Sequence, residues 1–86
     1  MKLLWSDESL SDLEGIAERA PRAAVHVYEA IRWLARQPFP HAFRRIEGRP
    51  GEHVLSVAPY VVFYAVDDNT IVVLTIEDSR RRREGW

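Results

Sequence analysis

Residues 60–66 read Tyr-Val-Val-Phe-Tyr-Ala-Val, apolar at every position, and residues 71–76 read Ile-Val-Val-Leu-Thr-Ile, nearly so. Such runs suit central strands of a sheet covered on both faces. Asp67-Asp68-Asn69 lies between them, and acids and Asn between two apolar runs predict a tight hairpin. Whatever precedes this hairpin has to cover it.

Two amphipathic helices are the predicted cover. Lys2-Leu3-Leu4-Trp5 is a short apolar strand cut off by Ser6, an apt N-cap, with Asp7 and Glu8 facing the positive helix end. Leu10, Leu13, Ile16 and Ala17 then recur at helical spacing. Gly15 weakens this helix by about 1 kcal/mol relative to Ala. Pro21 ends it and suits the first turn of the next. In the second helix Ala24, Val27, Tyr28, Ile31, Leu34 and Ala35 form one stripe, with Arg22, His26, Glu29, Trp33 and Arg36 off it. Pro38 and Pro40 close it. Ala42 to Ile46 is a weaker strand, ended by the turn Gly48-Arg49-Pro50-Gly51. Glu52 to Val57 is a further strand that Pro59 breaks. Tyr28, Phe63 and Tyr64 are expected in the core. The order β-α-α-β-β-β-β implies an α+β fold, an antiparallel sheet packed on two N-terminal helices.

At 86 residues the chain is expected to be a single domain, 1–86, with a polar, basic tail over residues 77–86. It has no cysteine, which excludes disulfides, thiolate zinc sites and a cysteine nucleophile. No apolar run reaches the roughly 18 residues a membrane span needs. The N-terminus lacks the apolar stretch of a signal peptide, so a cytoplasmic soluble protein is expected. The net charge is −1 and the pI about 6.3, whereas a general nucleic-acid binder is usually basic. Arg80, Arg81, Arg82 and Arg83 together carry +4, which leaves −5 on the rest of the chain. No metal site is visible: His26, His41 and His53 are scattered, with no paired-histidine spacing. No glycine-rich loop suggests a nucleotide, and no cofactor is expected.

Three segments resemble the RelE/ParE superfamily, the toxins of bacterial type II toxin–antitoxin pairs. Leu4-Trp5-Ser6-Asp7-Glu8-Ser9-Leu10-Ser11-Asp12-Leu13 is similar to the family's first strand and acidic capped helix. Tyr60-Val61-Val62-Phe63-Tyr64-Ala65-Val66-Asp67-Asp68 is similar to its strand and hairpin. Ile71 to Ile76, followed by Asp78-Ser79-Arg80-Arg81 and then Trp86, is similar to its last strand and arginine-bearing tail. The resemblance implies a growth-arresting toxin neutralised by a cognate antitoxin, with operator DNA bound only through that antitoxin, and a possible homodimer. ParE-like members are described as DNA gyrase inhibitors. RelE-like members are described as ribonucleases that cut messenger RNA on the ribosome.

RNA cleavage by 2′-hydroxyl attack needs a base, an acid and cations around the phosphate. The resemblance places Arg80 and Trp86 at the family's C-terminal arginine and aromatic. Trp86 can stack but cannot donate a proton as an acid. Val61 stands where an arginine usually follows the strand's first tyrosine, and the single lysine, Lys2, is on another strand. The catalytic candidates are therefore His53 as base and Arg80. A lone strand histidine is more often a partly exposed structural residue, and that is the expectation for His53. Arg80, Arg81, Arg82 and Arg83 form either a solvated run or a landing site for an acidic antitoxin or a phosphate surface. Arg49, with Arg44 and Arg45, has Glu47 and Glu52 beside it for local pairing. Trp33 either lies flat on Arg36 or Arg32 or marks a partner surface. With the cationic set incomplete, the favoured expectation is a non-catalytic toxin that binds and poisons DNA gyrase. The alternatives are a ribosome-dependent messenger ribonuclease and an inactive homologue that only binds antitoxin.

Overall fold

The computed structural model describes residues 1–40 and 43–81. Its elements are β1 (Lys2–Trp5), α1 (Asp7–Arg19), α2 (Pro21–Trp33), β2 (Phe43–Arg45), β3 (Glu52–Val57), β4 (Tyr60–Asp67) and β5 (Thr70–Asp78), followed by a 3₁₀ turn, Ser79–Arg81. The five strands form one sheet in the order β1-β5-β4-β3-β2. The α+β class and element order are those expected. The sheet is mixed, because β1 pairs parallel to β5 while the other pairings are antiparallel. The two helices return the chain so that β1 and β5 run the same way.

The hairpin lies in the interior of the sheet, as its apolar sequence demands. Asp68 takes a left-handed conformation (φ 52°) in the β4–β5 turn. Gly48 and Gly51 are both left-handed (φ 79° and 83°), which explains why glycine flanks Arg49 and Pro50 in the β2–β3 turn. One face of the sheet carries the core: Leu55, Tyr60, Val62, Tyr64, Ile71, Val73 and Ile76 meet Ile16, Ala24, Val27, Ile31 and Leu34 from the helices. Over the opposite face no described helix or strand lies. Val54 and Val61 are still buried there, and Phe63 and Leu74 are half-buried. Phe63 is therefore on the side of β4 away from the helical core, unlike Tyr64 at 0% exposure.

α1 is tied to β5 by side-chain hydrogen bonds that no hydrophobic pattern encodes. The Ser6 hydroxyl accepts from the Ser9 amide (3.0 Å) and donates to the Leu74 carbonyl (2.7 Å). The Asp12 carboxylate accepts from the Ile76 amide at 2.9 Å. Both bonds fall where β5 breaks register with β4, at Phe63/Tyr64 opposite Thr75 and Val73, leaving Leu74 as the extra residue. α1 is rolled so that Ser9 and Ile16 are buried, while Leu10 and Ala17 face outward.

Tyr28 also departs from expectation. It is 41% exposed, because it packs at the sheet's β1 edge rather than under the sheet. Its ring stacks on Trp5 (5.9 Å, 19°), and the Arg32 guanidinium lies over it at 5.8 Å. α2 ends at Trp33, before Pro38, and the Pro38 carbonyl accepts a 2.6 Å hydrogen bond from the Tyr64 hydroxyl. The tail starts later than its polarity suggested, since Glu77 and Asp78 still pair with Val61 and Tyr60 as part of β5.

Candidate functional site

Strand alternation decides where His53 points. In β3, His53, Leu55 and Val57 pair with Tyr64, Val62 and Tyr60, on the face that meets the helical core. His53 is accordingly buried at 6% exposure, not partly exposed as expected for it. Rings surround it: Phe39 (5.2 Å, edge-on), Phe43 (5.8 Å, edge-on) and Tyr64 (5.4 Å). Its Nδ1 has no hydrogen-bond partner among the described residues. Burial, and then the charge of Arg45 on the neighbouring strand, push the imidazole pKa below its usual 6.5. The ring is thus neutral near pH 7 and enclosed by aromatic side chains.

Arg80 lies at the far end of the sheet. It follows β5 in the 3₁₀ turn, and its guanidinium grips Asp78, with Nε on Oδ1 at 3.0 Å and the second nitrogen on Oδ2 at 2.8 Å. The Arg80 amide also donates to Asp78 Oδ1 at 2.9 Å. These hydrogen bonds hold the Asp78 carboxyl pKa down at about 2. Next to it, the Ser79 hydroxyl (2.6 Å) and amide (2.8 Å) both donate to the Pro59 carbonyl. The root of the tail is therefore fastened to the β3–β4 turn through Ser79, an uncharged residue among the charged ones. Arg80 and Arg81 are exposed. Arg82, Arg83 and Trp86 lie outside the described residues.

The two catalytic candidates do not converge. His53 is in register with Tyr64, and Asp78 with Tyr60, four residues along β4. That spacing is roughly 13 Å along the strands, and β3 and β5 flank β4 at about 10 Å from each other. One phosphodiester cannot touch a base and a cation that far apart within hydrogen-bond reach.

The remaining candidates occupy separate surfaces. Arg49 makes a loose 3.7 Å ion pair with Glu52 across the turn, the local pairing anticipated for it. A groove of about 480 Å³ on the sheet's non-helical face is lined by Ile46, Arg49, Glu52, Phe63, Leu74 and Glu77, among others. Trp33 is 57% exposed with Arg36 over its ring at 5.5 Å, so it does lie against an arginine. Among the described residues no cluster of His, Asp and Glu could hold a metal ion. No helix of the described chain is long and apolar enough to cross a membrane.

Two helices over a mixed five-stranded sheet are the fold shared with solved toxins of type II toxin–antitoxin systems. The YoeB/ParE toxin from Agrobacterium tumefaciens superposes with a TM-score of 0.78 over 91% of this chain and 98% of its own, at 23% identity. The chromosomal ParDE system from P. aeruginosa gives 0.74 over 91% and 95%, at 25% identity. The RelBE2 toxin–antitoxin complex from Mycobacterium tuberculosis gives 0.75 over 90% and 95%, at 22% identity. A search of curated protein sequences finds no match. The family model described as ParE toxin of type II toxin-antitoxin system, parDE, matches residues 3–83, and the chain belongs to that family.

Proposed function

We propose that this toxin arrests growth by binding and poisoning DNA gyrase, without cutting RNA itself, and that a cognate antitoxin neutralises it. The observation that carries the reading is the separation of His53 from Arg80. The one histidine on the sheet among the described residues, His53, is sealed among Phe39, Phe43 and Tyr64, while Arg80 is engaged by Asp78 at the other end. The two candidates that the sequence offered for RNA cleavage, His53 and Arg80, do not meet around a place for a phosphate. Val61 adds no cation at the centre, since it is a buried apolar residue of β4. The antitoxin partner is supported by the relatives described as RelBE2 and ParDE toxin–antitoxin assemblies, and a homodimer by a structure described as the YoeB dimer from Staphylococcus aureus.

The test is a pair of purified reactions after confirming that the chain alone arrests growth and that the adjacent antitoxin gene restores it. With gyrase and no ribosome, the toxin is expected to block supercoiling and trap cleaved DNA. With translating ribosomes, messenger RNA is expected to stay intact. Codon-spaced messenger cleavage, lost in His53→Ala, would refute the proposal and make the protein a ribosome-dependent ribonuclease.

A further inference from the structure

The basic tip at the C-terminus is not the chain's sole concentration of positive charge. From Arg32 to Arg49 the sequence carries Arg32, Arg36, Arg44, Arg45 and Arg49 against Glu47 alone, whereas α1 carries Asp7, Glu8, Asp12, Glu14 and Glu18 against Arg19. The fold brings Arg36, just past α2, and Arg45, on β2 at the last strand of the sheet, to one corner, whereas Arg32 lies over Tyr28 at the β1 edge and Arg44 alternates to the non-helical face. Arg49 pairs with Glu52, but the exposed Arg32, Arg36, Arg44 and Arg45 have no carboxylate partner among the described residues.

An aromatic groove lies at the same corner. Trp33, Gln37, Phe39, Pro40 and Phe43 line a concavity of about 490 Å³. Trp33 is 57% exposed and Phe39 45%, unusual for two large aromatics so close together. Arg36 projects over the Trp33 ring, and Arg45 neighbours His53, whose ring touches both Phe39 and Phe43. Unanswered guanidinium groups thus border an apolar slot. Surface arginines beside exposed tryptophan are the composition of binding hot spots.

We propose that this corner is a docking surface for an acidic segment of a partner protein, one that inserts a large apolar side chain between Trp33, Phe39 and Phe43 while its carboxylates meet Arg36 and Arg45. Charge complementarity selects the occupant, because the two exposed cations beside the slot, Arg36 and Arg45, have no carboxylate partner among the described residues and so attract carboxylates and repel a basic segment. Guanidinium forks hold carboxylates in bidentate geometry, which orients the segment as well as attracting it. A nucleic-acid strand fits less well. The Trp33 face already carries Arg36, and the Phe39 and Phe43 rings are tilted by 53°, so no flat platform is open to successive bases. The acidic α1 and the pI of about 6.3 also oppose a long polyanion. The surface is separate from Arg80 and Arg81, which follow β5, and the inference does not rest on gyrase being the target.

The experiment is selection of a random-peptide display library on the immobilised full chain, followed by titration of the enriched peptides as synthetic probes. Enriched sequences are expected to place Asp or Glu around one large apolar residue. Their affinity is expected to fall about tenfold or more in Trp33→Ala, as at a hot spot, to fall in Arg36→Glu and in Arg45→Glu, and to weaken as salt is raised. Both Trp33 and Arg36 are exposed, so an unchanged thermal midpoint will show that these variants fold. Phe39→Ser, at the other wall of the groove, serves as an independent check. Enrichment of neutral or basic peptides overturns the proposal, as does acidic-peptide binding that ignores Trp33. Tighter, Trp33-dependent binding of single-stranded oligouridine would assign the corner to nucleic acid instead.

Discussion

Replacing His53 with Phe should stabilise this protein, and the gain should widen as the solution is acidified. The wild-type ring is 6% exposed, and its Nδ1 is buried without a partner among the described residues. A buried polar atom left unsatisfied costs about 1–3 kcal/mol. Phenylalanine removes that atom and keeps a ring among Phe39, Phe43 and Tyr64, whose centroids lie 5.2, 5.8 and 5.4 Å away. Allowing for the slightly larger ring in a tight site, the expected gain is about 1 kcal/mol, or roughly 4–8 °C in thermal midpoint for a domain of this size. The pH dependence follows from the depressed pKa. Unfolded His53 takes its proton near 6.5, and folded His53 takes it only at lower pH, because burial and Arg45 oppose the charge. The unfolded state therefore binds more protons as pH falls through 6.5, and wild-type stability declines until the folded ring also titrates. His53→Phe lacks this loss, while His26 and His41 are common to both proteins. Thermal melts from about pH 7.5 down to pH 5 measure the difference. A variant less stable than wild type at neutral pH, or a gap that stays constant on acidification, would refute the reasoning.

Other substitutions probe the ties between layers. Tyr64→Phe deletes the 2.6 Å hydrogen bond to the Pro38 carbonyl and should cost about 1–2 kcal/mol in a denaturant titration. The same burial lifts the Tyr64 hydroxyl to a pKa of about 12, so its ultraviolet titration should lag behind an ordinary tyrosine near 10. Ser6→Ala removes both the α1 cap and the donor to Leu74, for a loss of about 1–2 kcal/mol, with faster amide exchange expected in the first turn of α1. Gly15→Ala should raise the midpoint by a few degrees, from about 0.5–1 kcal/mol of helix propensity, since the new methyl meets nothing closer than the mobile tip of Arg19 at 3.4 Å.

Local pattern and turn chemistry carried most of the architecture. The uninterrupted apolar runs placed β4 and β5 inside the sheet, because only interior strands can bury so many consecutive side chains. Ser6, Pro21 and the two glycines around Arg49 marked boundaries through their own backbone preferences, which hold whatever the tertiary context. The α2 stripe likewise put Ala24, Val27, Ile31 and Leu34 in the core and Trp33 outside it.

Tertiary structure decided the rest, for reasons a linear pattern does not contain. Which strand β1 joins, and in which direction, depends on how the helices return the chain. Tyr28 fits the helical stripe but lies over the sheet's edge, so packing left it beside Trp5 and Arg32 in partial exposure. Ser6 reads only as a helix cap and Asp12 as a surface acid until the irregularity at Leu74 brings β5 backbone groups to α1. The two sequence candidates for catalysis were separated only by register. Alternation turned His53 toward the helices, and the length of β5 carried Arg80 to the other end of the sheet, where Asp78 engages it. A sequence fixes residue types and local periods, but the distance between a histidine and an arginine follows from strand pairing, which exists only once the chain has folded.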